Sequence, residues 1–158
     1  MREKKIGYCP YCDKHGMLVW IVIEEDIVVR GETFCIEQRV CLCEACGKRI
    51  GYSSAEDENL KRAYDAYRKA HSLLYPEEIK SIYSDFGLSQ DSFGILLGLG
   101  AASIKRYECG GLQTKQIDDA IRSASKPENL IALLEANQAE IPRSQYEKAV
   151  ALARSLST

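Results

Sequence analysis

Two cysteine pairs are the residues of this chain whose type and spacing best suit chemistry. Cys9 and Cys12 stand in Cys-Pro-Tyr-Cys-Asp-Lys, and Cys43 and Cys46 stand in Cys-Glu-Ala-Cys-Gly-Lys. A tight turn inside each pair can present two thiolates to one ion, and four sulfur ligands suit a closed, tetrahedral structural zinc site. We therefore predict one structural Zn²⁺ per chain, with Cys9, Cys12, Cys43 and Cys46 as ligands.

The residues that follow each pair suit a metal-binding knuckle. Gly47 permits the positive φ that such a turn often needs, and Asp13 is a tolerable substitute because Asx residues visit the left-handed region. Lys14, Lys48 and Arg49 lie close by in sequence. We expect these cations to offset the negative charge that four thiolates leave around a divalent ion.

Other interpretations of the cysteines stay open. Tetrahedral sulfur sites also suit iron, and two knuckles about this far apart resemble rubredoxin, an electron-transfer protein. Cys41 would point to the same side as Cys43 in an extended segment and is a possible substitute ligand. We expect Cys41, Cys35 and Cys109 to be small buried core residues instead, since free cysteine is often buried.

A second constellation lies in residues 88–112. Ser89 is predicted to cap a helix, Gly98-Leu99-Gly100 to form a tight turn, and Ala101–Glu108 to form a short second helix. This is the layout of a helix-turn-helix, whose second helix enters the major groove of DNA. The alternative interpretation is a helical hairpin with solvated charges.

The predicted second helix has an inner and an outer face. Ile104 and Tyr107 can pack inward. The outward face is then left with candidate base-reading residues, of which arginine suits bidentate contact with guanine. Two residues at the start of the preceding helix can reach phosphate. The predicted DNA-binding residues are Ser89, Gln90, Ala102, Ser103, Lys105 and Arg106.

Composition narrows the class of protein. The 158 residues are 46% hydrophobic and 28% charged with a net charge of −2, as expected of a globular protein whose nucleic-acid contacts must come from a local patch. No apolar run approaches the roughly 20 residues of a membrane span, and no apolar signal core follows Met1. We predict a cytoplasmic, non-membrane protein whose reduced cysteines bind metal. No catalytic constellation can be assembled, so we predict that it is not an enzyme.

The order of elements predicts an α+β protein: a small N-terminal β-rich zinc-binding domain followed by an all-α helix-turn-helix domain. The predicted boundaries are 1–54 for the zinc domain, 55–75 for a linking helix capped by Ser54, and 76–158 for the DNA-binding and dimerisation domain. Strands are predicted at Met17–Glu24, Asp26–Arg30 and Thr33–Leu42, with a turn at Gly31-Glu32. Helices are predicted to begin near Pro76, Ser89, Ala101, Thr114, Pro127 and Pro142.

Two segments together resemble the Xre/Cro-like helix-turn-helix signature. They are Leu88-Ser89-Gln90 and, further along the chain, Ser103-Ile104-Lys105-Arg106-Tyr107-Glu108-x-Gly110. Its position after paired zinc knuckles and a linking helix resembles the MqsA/YgiT-type antitoxins of type II toxin–antitoxin systems. Val29-Arg30-Gly31-Glu32-Thr33 between the knuckles is also similar, and the resemblance covers roughly residues 8–135.

This resemblance implies a zinc domain that can bind a toxin, and a dimeric domain that binds a palindromic operator in double-stranded DNA. It implies that Arg106 is the major-groove arginine. The family's DNA-contacting asparagine falls at Ala102, which cannot make its hydrogen bonds, so either Ser103 and Lys105 take over or the operator differs. Arg143–Leu156 extends beyond the family core, as a dimerisation helix or a link to a further domain.

We thus expect a homodimeric transcriptional repressor and antitoxin. The alternatives are a zinc-ribbon adaptor that binds a protein without a toxin partner, and a rubredoxin-like electron-transfer site.

Overall fold

A computed structural model describes residues 2–157 of the chain. The predicted α+β class is confirmed: an antiparallel four-stranded sheet precedes the main helices. The strands are β1 Glu3–Cys9, β2 Lys14–Val29, β3 Glu32–Cys43 and β4 Arg49–Ile50. The helices are α1 Ser53–His71, α2 Pro76–Ser84, α3 Gln90–Leu96, α4 Ala101–Glu108, α5 Lys115–Ala124, α6 Pro127–Ala136 and α7 Arg143–Leu156, with a 3₁₀ turn at Gln138–Glu140.

The chain divides into two compact units, one ending at Ala70 and the other beginning at His71. The first unit contains the sheet and nearly all of α1, and the second contains α2 to α7. The three-part division at 1–54, 55–75 and 76–158 stays a prediction. Among the described helices, none is both long and apolar enough to cross a membrane.

A long hairpin of β2 and β3 forms the centre of the sheet. Its strands pair from Leu18 with Cys43 to Val29 with Glu32, and the turn residues Arg30 and Gly31 both have positive φ. Such a two-residue turn matches the twist of the strands. The predicted break of this segment into Met17–Glu24 and Asp26–Arg30 was wrong, because the ladder continues through residues 24–26.

Strand β1 was not predicted. It pairs with the first half of β2, from Cys9 with Lys14 to Glu3 with Trp20. Its middle residues Lys4, Lys5 and Ile6 are all exposed, so its sequence lacks the alternation that marks a half-buried strand. Exposed lysines are common on edge strands, where they discourage pairing with other chains.

Helix α1 packs beside β3. The side chain of Asn59 accepts a hydrogen bond from the backbone N–H of Arg39 at 2.9 Å and donates to its carbonyl at 3.0 Å. This contact buries Asn59, while the neighbouring Leu60 is half exposed. The helix also begins at Ser53, one residue before the predicted Ser54 cap.

The second unit follows its predicted elements closely. Ser89 caps α3 by accepting a hydrogen bond from the N–H of Ser92, and Thr114 caps α5. Gly87 ends the α2 segment with a φ of 71°. The core of this unit includes fully buried apolar side chains from α2, α3, α4, α5, α6 and α7, among them Ile79, Phe93, Ile104, Ile121, Leu134 and Ala149.

Candidate metal centre and recognition helix

The register of the sheet brings the two cysteine pairs together. Cys9 ends β1 opposite Lys14, and Cys43 ends β3 opposite Leu18 on the same central strand. The loop from β1 to β2 and the loop from β3 to β4 therefore lie at one end of the sheet. Each loop carries one cysteine pair, so the sheet itself positions the ligands.

The four predicted ligands form one group. The sulfur atoms of Cys9, Cys12, Cys43 and Cys46 all lie within 4.8 Å of one another. The Cys9 and Cys46 sulfurs are 3.8 Å apart, and those of Cys12 and Cys43 are 3.9 Å apart. A tetrahedral site with Zn–S bonds of about 2.3 Å has S–S edges of about 3.8 Å. The group therefore fits a single zinc ion.

The backbone of both loops has the expected knuckle geometry. The residue after the second cysteine of each pair has a positive φ, which is 53° at Asp13 and 72° at Gly47. In the second loop, the N–H of Gly47 donates to the carbonyl of Cys43 at 2.7 Å. Asp13 and Gly47 thus have the left-handed backbone conformation that the sequence predicted for the two turns.

Backbone amides also stabilise negative charge on sulfur. The pKa of the Cys43 thiol is lowered to about 7, first by the N–H of Cys46 and also by that of Ala45, while burial opposes the shift. The pKa of Cys12 is raised to about 12, first by a hydrogen bond with the sulfur of Cys46 and then by burial. Metal binding requires thiolates, so it must release the protons that the thiols still hold.

Side chains outside the ligand set connect the two loops. The ammonium group of Lys48 lies 4.7 Å from the centre of the Tyr11 ring, which joins the second loop to the first. Lys4 on β1 forms a 2.6 Å ion pair with Glu44. Arg49 is engaged elsewhere, because it pairs with Glu25 at 3.2 Å. Of the three cations expected to offset the thiolate charge, Lys48 therefore contacts a residue of the other loop.

The remaining cysteines have different environments. Cys41 is 1% exposed and packs in a small core with Leu18 and Ile50, as expected, and it is outside the four-sulfur group. The prediction that Cys35 and Cys109 are buried was wrong, because both are exposed. Cys35 lies on the face of the hairpin away from α1, and Cys109 follows the last turn of α4.

The predicted second helix of the helix-turn-helix is α4. Ile104 is 0% and Tyr107 2% exposed, so this side of the helix faces the core. Ala102, Lys105 and Arg106 are exposed, and Ser103 is half-buried. The guanidinium of Arg106 lies over the Tyr107 ring at 5.1 Å and donates a 3.2 Å hydrogen bond to its hydroxyl.

Ser89 and Gln90 at the start of α3 take part in contacts that the sequence did not indicate. The backbone N–H of Ser89 donates to the side-chain carbonyl of Gln145 on α7 at 3.0 Å. The amide of Gln90 donates to the Glu108 carboxylate at 2.7 Å. The hydroxyl of Tyr83 donates to the same carboxylate. Glu108 therefore ties the end of α4 to α2 and α3.

A buried carboxylate in the second unit was also missed. Asp118 is 0% exposed and accepts hydrogen bonds from the Leu74 N–H at 2.8 Å, the Gln113 amide at 3.0 Å and the Arg122 guanidinium at 2.8 Å. Burial alone would raise the pKa of Asp118, but the hydrogen bonds from Arg122, Leu74 and Gln113 together lower it. Arg122 is four residues away on the same helix, which was the available sequence signal.

Comparisons with protein families, with characterised proteins and with solved structures find no match to this chain. The resemblance to MqsA/YgiT-type antitoxins therefore stays a prediction from the residues quoted above.

Proposed function

We propose that this chain is a zinc-containing, sequence-specific DNA-binding transcriptional regulator of the antitoxin type, and not an enzyme. The observation that carries the proposal is the packing of α4. Its buried side, Ile104 and Tyr107, docks on the core, and its opposite side presents Ala102, Lys105 and Arg106 to solvent. A short helix held in this way after a glycine turn suits insertion into the major groove.

The four-cysteine group supports a structural role for zinc in the first unit. Among the described residues, the small core around the ligands consists of Leu18, Cys41 and Ile50 besides the buried ligands Cys9 and Cys43, and Cys12 and Trp20 pack against it. A core of this size stabilises little by apolar burial alone, and a bound Zn²⁺ would cross-link the two loops. The rubredoxin-like alternative requires iron in the same group, and a protein that is colourless and contains zinc as purified would exclude it.

A homodimer completes the proposal. Two copies related by a two-fold axis would present their α4 helices to a palindromic operator, with half-sites about one DNA turn apart. The test is selection by the full-length zinc-loaded protein from a pool of random-sequence DNA duplexes. We expect a palindromic consensus to emerge. Recovery of no consensus would contradict sequence-specific binding and favour the adaptor alternative.

We further propose that the first unit binds a basic toxin protein. The support is the face of the β2–β3 hairpin away from α1. On that face Val22 and Val28 are 58% and 66% exposed, and Glu24 lies directly opposite Glu37 with Asp26 beside them. Like charges directly opposite each other destabilise a strand pair. A cationic protein surface would offset this repulsion, which is the charge complementarity that interfaces use.

The toxin proposal is tested with the product of the adjacent reading frame as the probe. Charge reversal by Glu24→Lys together with Glu37→Lys should abolish its co-purification with this chain. Glu58→Lys together with Glu77→Lys, which changes two exposed acids elsewhere, serves as the matched control. Equal co-purification of the first double variant and the wild type would reject this face as the binding site.

A further inference from the structure

The C-terminal helix α7 packs against the loop that joins α2 to α3. A Cβ atom at Gly87 in this loop would lie 2.7 Å from Cδ and 2.9 Å from Cε of Lys148. The aliphatic stem of Lys148 therefore lies directly on the glycine backbone. One turn earlier on α7, Gln145 accepts the hydrogen bond from the backbone N–H of Ser89. Two side chains of α7 thus contact the segment that leads into α3.

These contacts place Lys148 beside the predicted DNA-binding edge of the helix-turn-helix. Gln145 and Lys148 are three residues apart and share one side of α7. Gln145 is bonded to Ser89, whose neighbour Gln90 is bonded to Glu108 in the last turn of α4. A chain of direct contacts therefore runs from α7 through the start of α3 to the recognition helix.

The second unit has more acidic than basic residues, so each unpaired cation matters for binding an anionic ligand such as DNA. Residues 71–158 hold nine Lys and Arg against eleven Asp and Glu. Lys115, Arg122 and Arg143 are paired with carboxylates within α5 or α7. Lys148 is exposed and, within the described residues, has no ion pair or hydrogen bond through its ammonium group. Its ammonium group is therefore available to a ligand.

We propose that Lys148 is a contact to the phosphodiester backbone of duplex DNA, supplied by α7 next to Gln90, a DNA-binding residue predicted from the sequence. This proposal rests on the proposed DNA-binding function and adds a residue from a helix outside the helix-turn-helix. The stem packed on Gly87 restricts the side chain while its charged end stays in solvent. A contact to phosphate carries no sequence information, so Lys148 contributes equally to binding of any duplex.

The test uses two fluorescein-labelled duplexes, one recovered by the selection described above and one of scrambled sequence. Fluorescence anisotropy gives the affinity of the zinc-loaded protein for each duplex over a range of KCl concentrations. Lys148→Gln removes the charge and keeps most of the stem, whereas Lys148→Arg keeps the charge. Lys126→Gln is the matched control, because Lys126 is an exposed lysine at the start of α6.

We expect Lys148→Gln to weaken binding of both duplexes by the same factor. It should also reduce the slope of log K against log salt by about 1, the value for one lost phosphate contact. Lys148→Arg should restore the affinity and the slope, and Lys126→Gln should behave as the wild type.

Three results would overturn this inference. Wild-type affinity and slope in Lys148→Gln would show that α7 makes no phosphate contact. Weakening confined to the selected duplex would indicate contact with a base instead of phosphate. A wild-type protein that binds neither duplex would remove the DNA-binding function and this inference with it, whereas the first two results would leave that function in place.

Discussion

At the scale of single residues, the buried Asp118 stabilises the second unit through its hydrogen bonds. Its carboxylate fixes the Leu74 backbone at the start of this unit, while Arg122 donates to the Ser72 carbonyl at 2.7 Å. Gln113 bridges Asp118 and the Leu74 carbonyl with one amide group. Three side chains thereby hold the segment before α2 against α5.

Replacement of Asp118 by Asn should lower the free energy of unfolding of the second unit. The neutral amide weakens the hydrogen bonds to a charged group, which are worth about 1.5–3 kcal/mol. The exposed neighbour Asp119 provides the matched control, Asp119→Asn. Urea titrations followed by the amide NMR signals of α5 in the full-length protein measure the effect, and equal midpoints for wild type and Asp118→Asn would contradict it.

The difference in unfolding free energy between the wild type and Asp118→Asn should depend on pH in a definite direction. The pKa of Asp118 in the folded chain is below its ordinary value of 3.8. Its stabilising contribution is therefore complete above the ordinary value and is lost as pH falls through the lower, folded pKa. The gap between wild type and Asp118→Asn should be widest at neutral pH and should narrow in acid. A gap that widens in acid would contradict the assignment.

At the scale of elements, the stability of the second unit should depend more on the buried side chain of Ile104 in α4 than on the exposed side chains of this helix. Ile104 is 0% exposed and lies in the core shared with α2 and α3. Ile104→Ala should destabilise the second unit by about 2–5 kcal/mol, because truncation leaves a cavity. Lys105→Ala on the exposed side should change stability by less than about 0.5 kcal/mol. Thermal unfolding followed by circular dichroism distinguishes them, and similar midpoints would argue against this docking of α4.

The elements that the sequence predicted well are those with local signals. The zinc ligands follow from spacing within two short turns, and the left-handed residues Asp13 and Gly47 follow from residue type. Except for α4, the helices of the second unit begin at prolines or at capping residues such as Ser89, whose hydrogen bond to Ser92 spans three positions. Each of these features depends on neighbours in the chain.

The features that the sequence did not predict depend on distant partners. Asp118 bonds to Leu74, which is 44 positions away. Asn59 is buried where it bonds to Arg39, 20 positions away, while the apolar Leu60 beside it is half exposed. Strand β1 is defined by its register with β2 and has no alternating pattern of its own. Periodicity and propensity carry no information about such contacts.

At the scale of the whole molecule, the two units should respond differently to loss of metal. The only tryptophan, Trp20, lies in the first unit, 5.1 Å from the ring of Tyr52. A chelator should change Trp20 fluorescence, because the small core around the ligands loses its cross-link. The helical signal of the second unit should change little. Simultaneous and equal loss of both signals would contradict a zinc role confined to the first unit.

The affinity of the Arg106→Ala variant for the selected duplex tests the central claim most directly. Arg106 is exposed on α4, and Arg154→Ala removes an exposed arginine from α7 as the matched control. One bidentate arginine–guanine contact is worth about 1–3 kcal/mol, roughly a 5- to 150-fold change in affinity. We expect a loss in this range for Arg106→Ala with unchanged zinc content and circular dichroism, and none for Arg154→Ala. Equal affinity of Arg106→Ala and wild type would contradict the assignment of α4 as the DNA-reading helix.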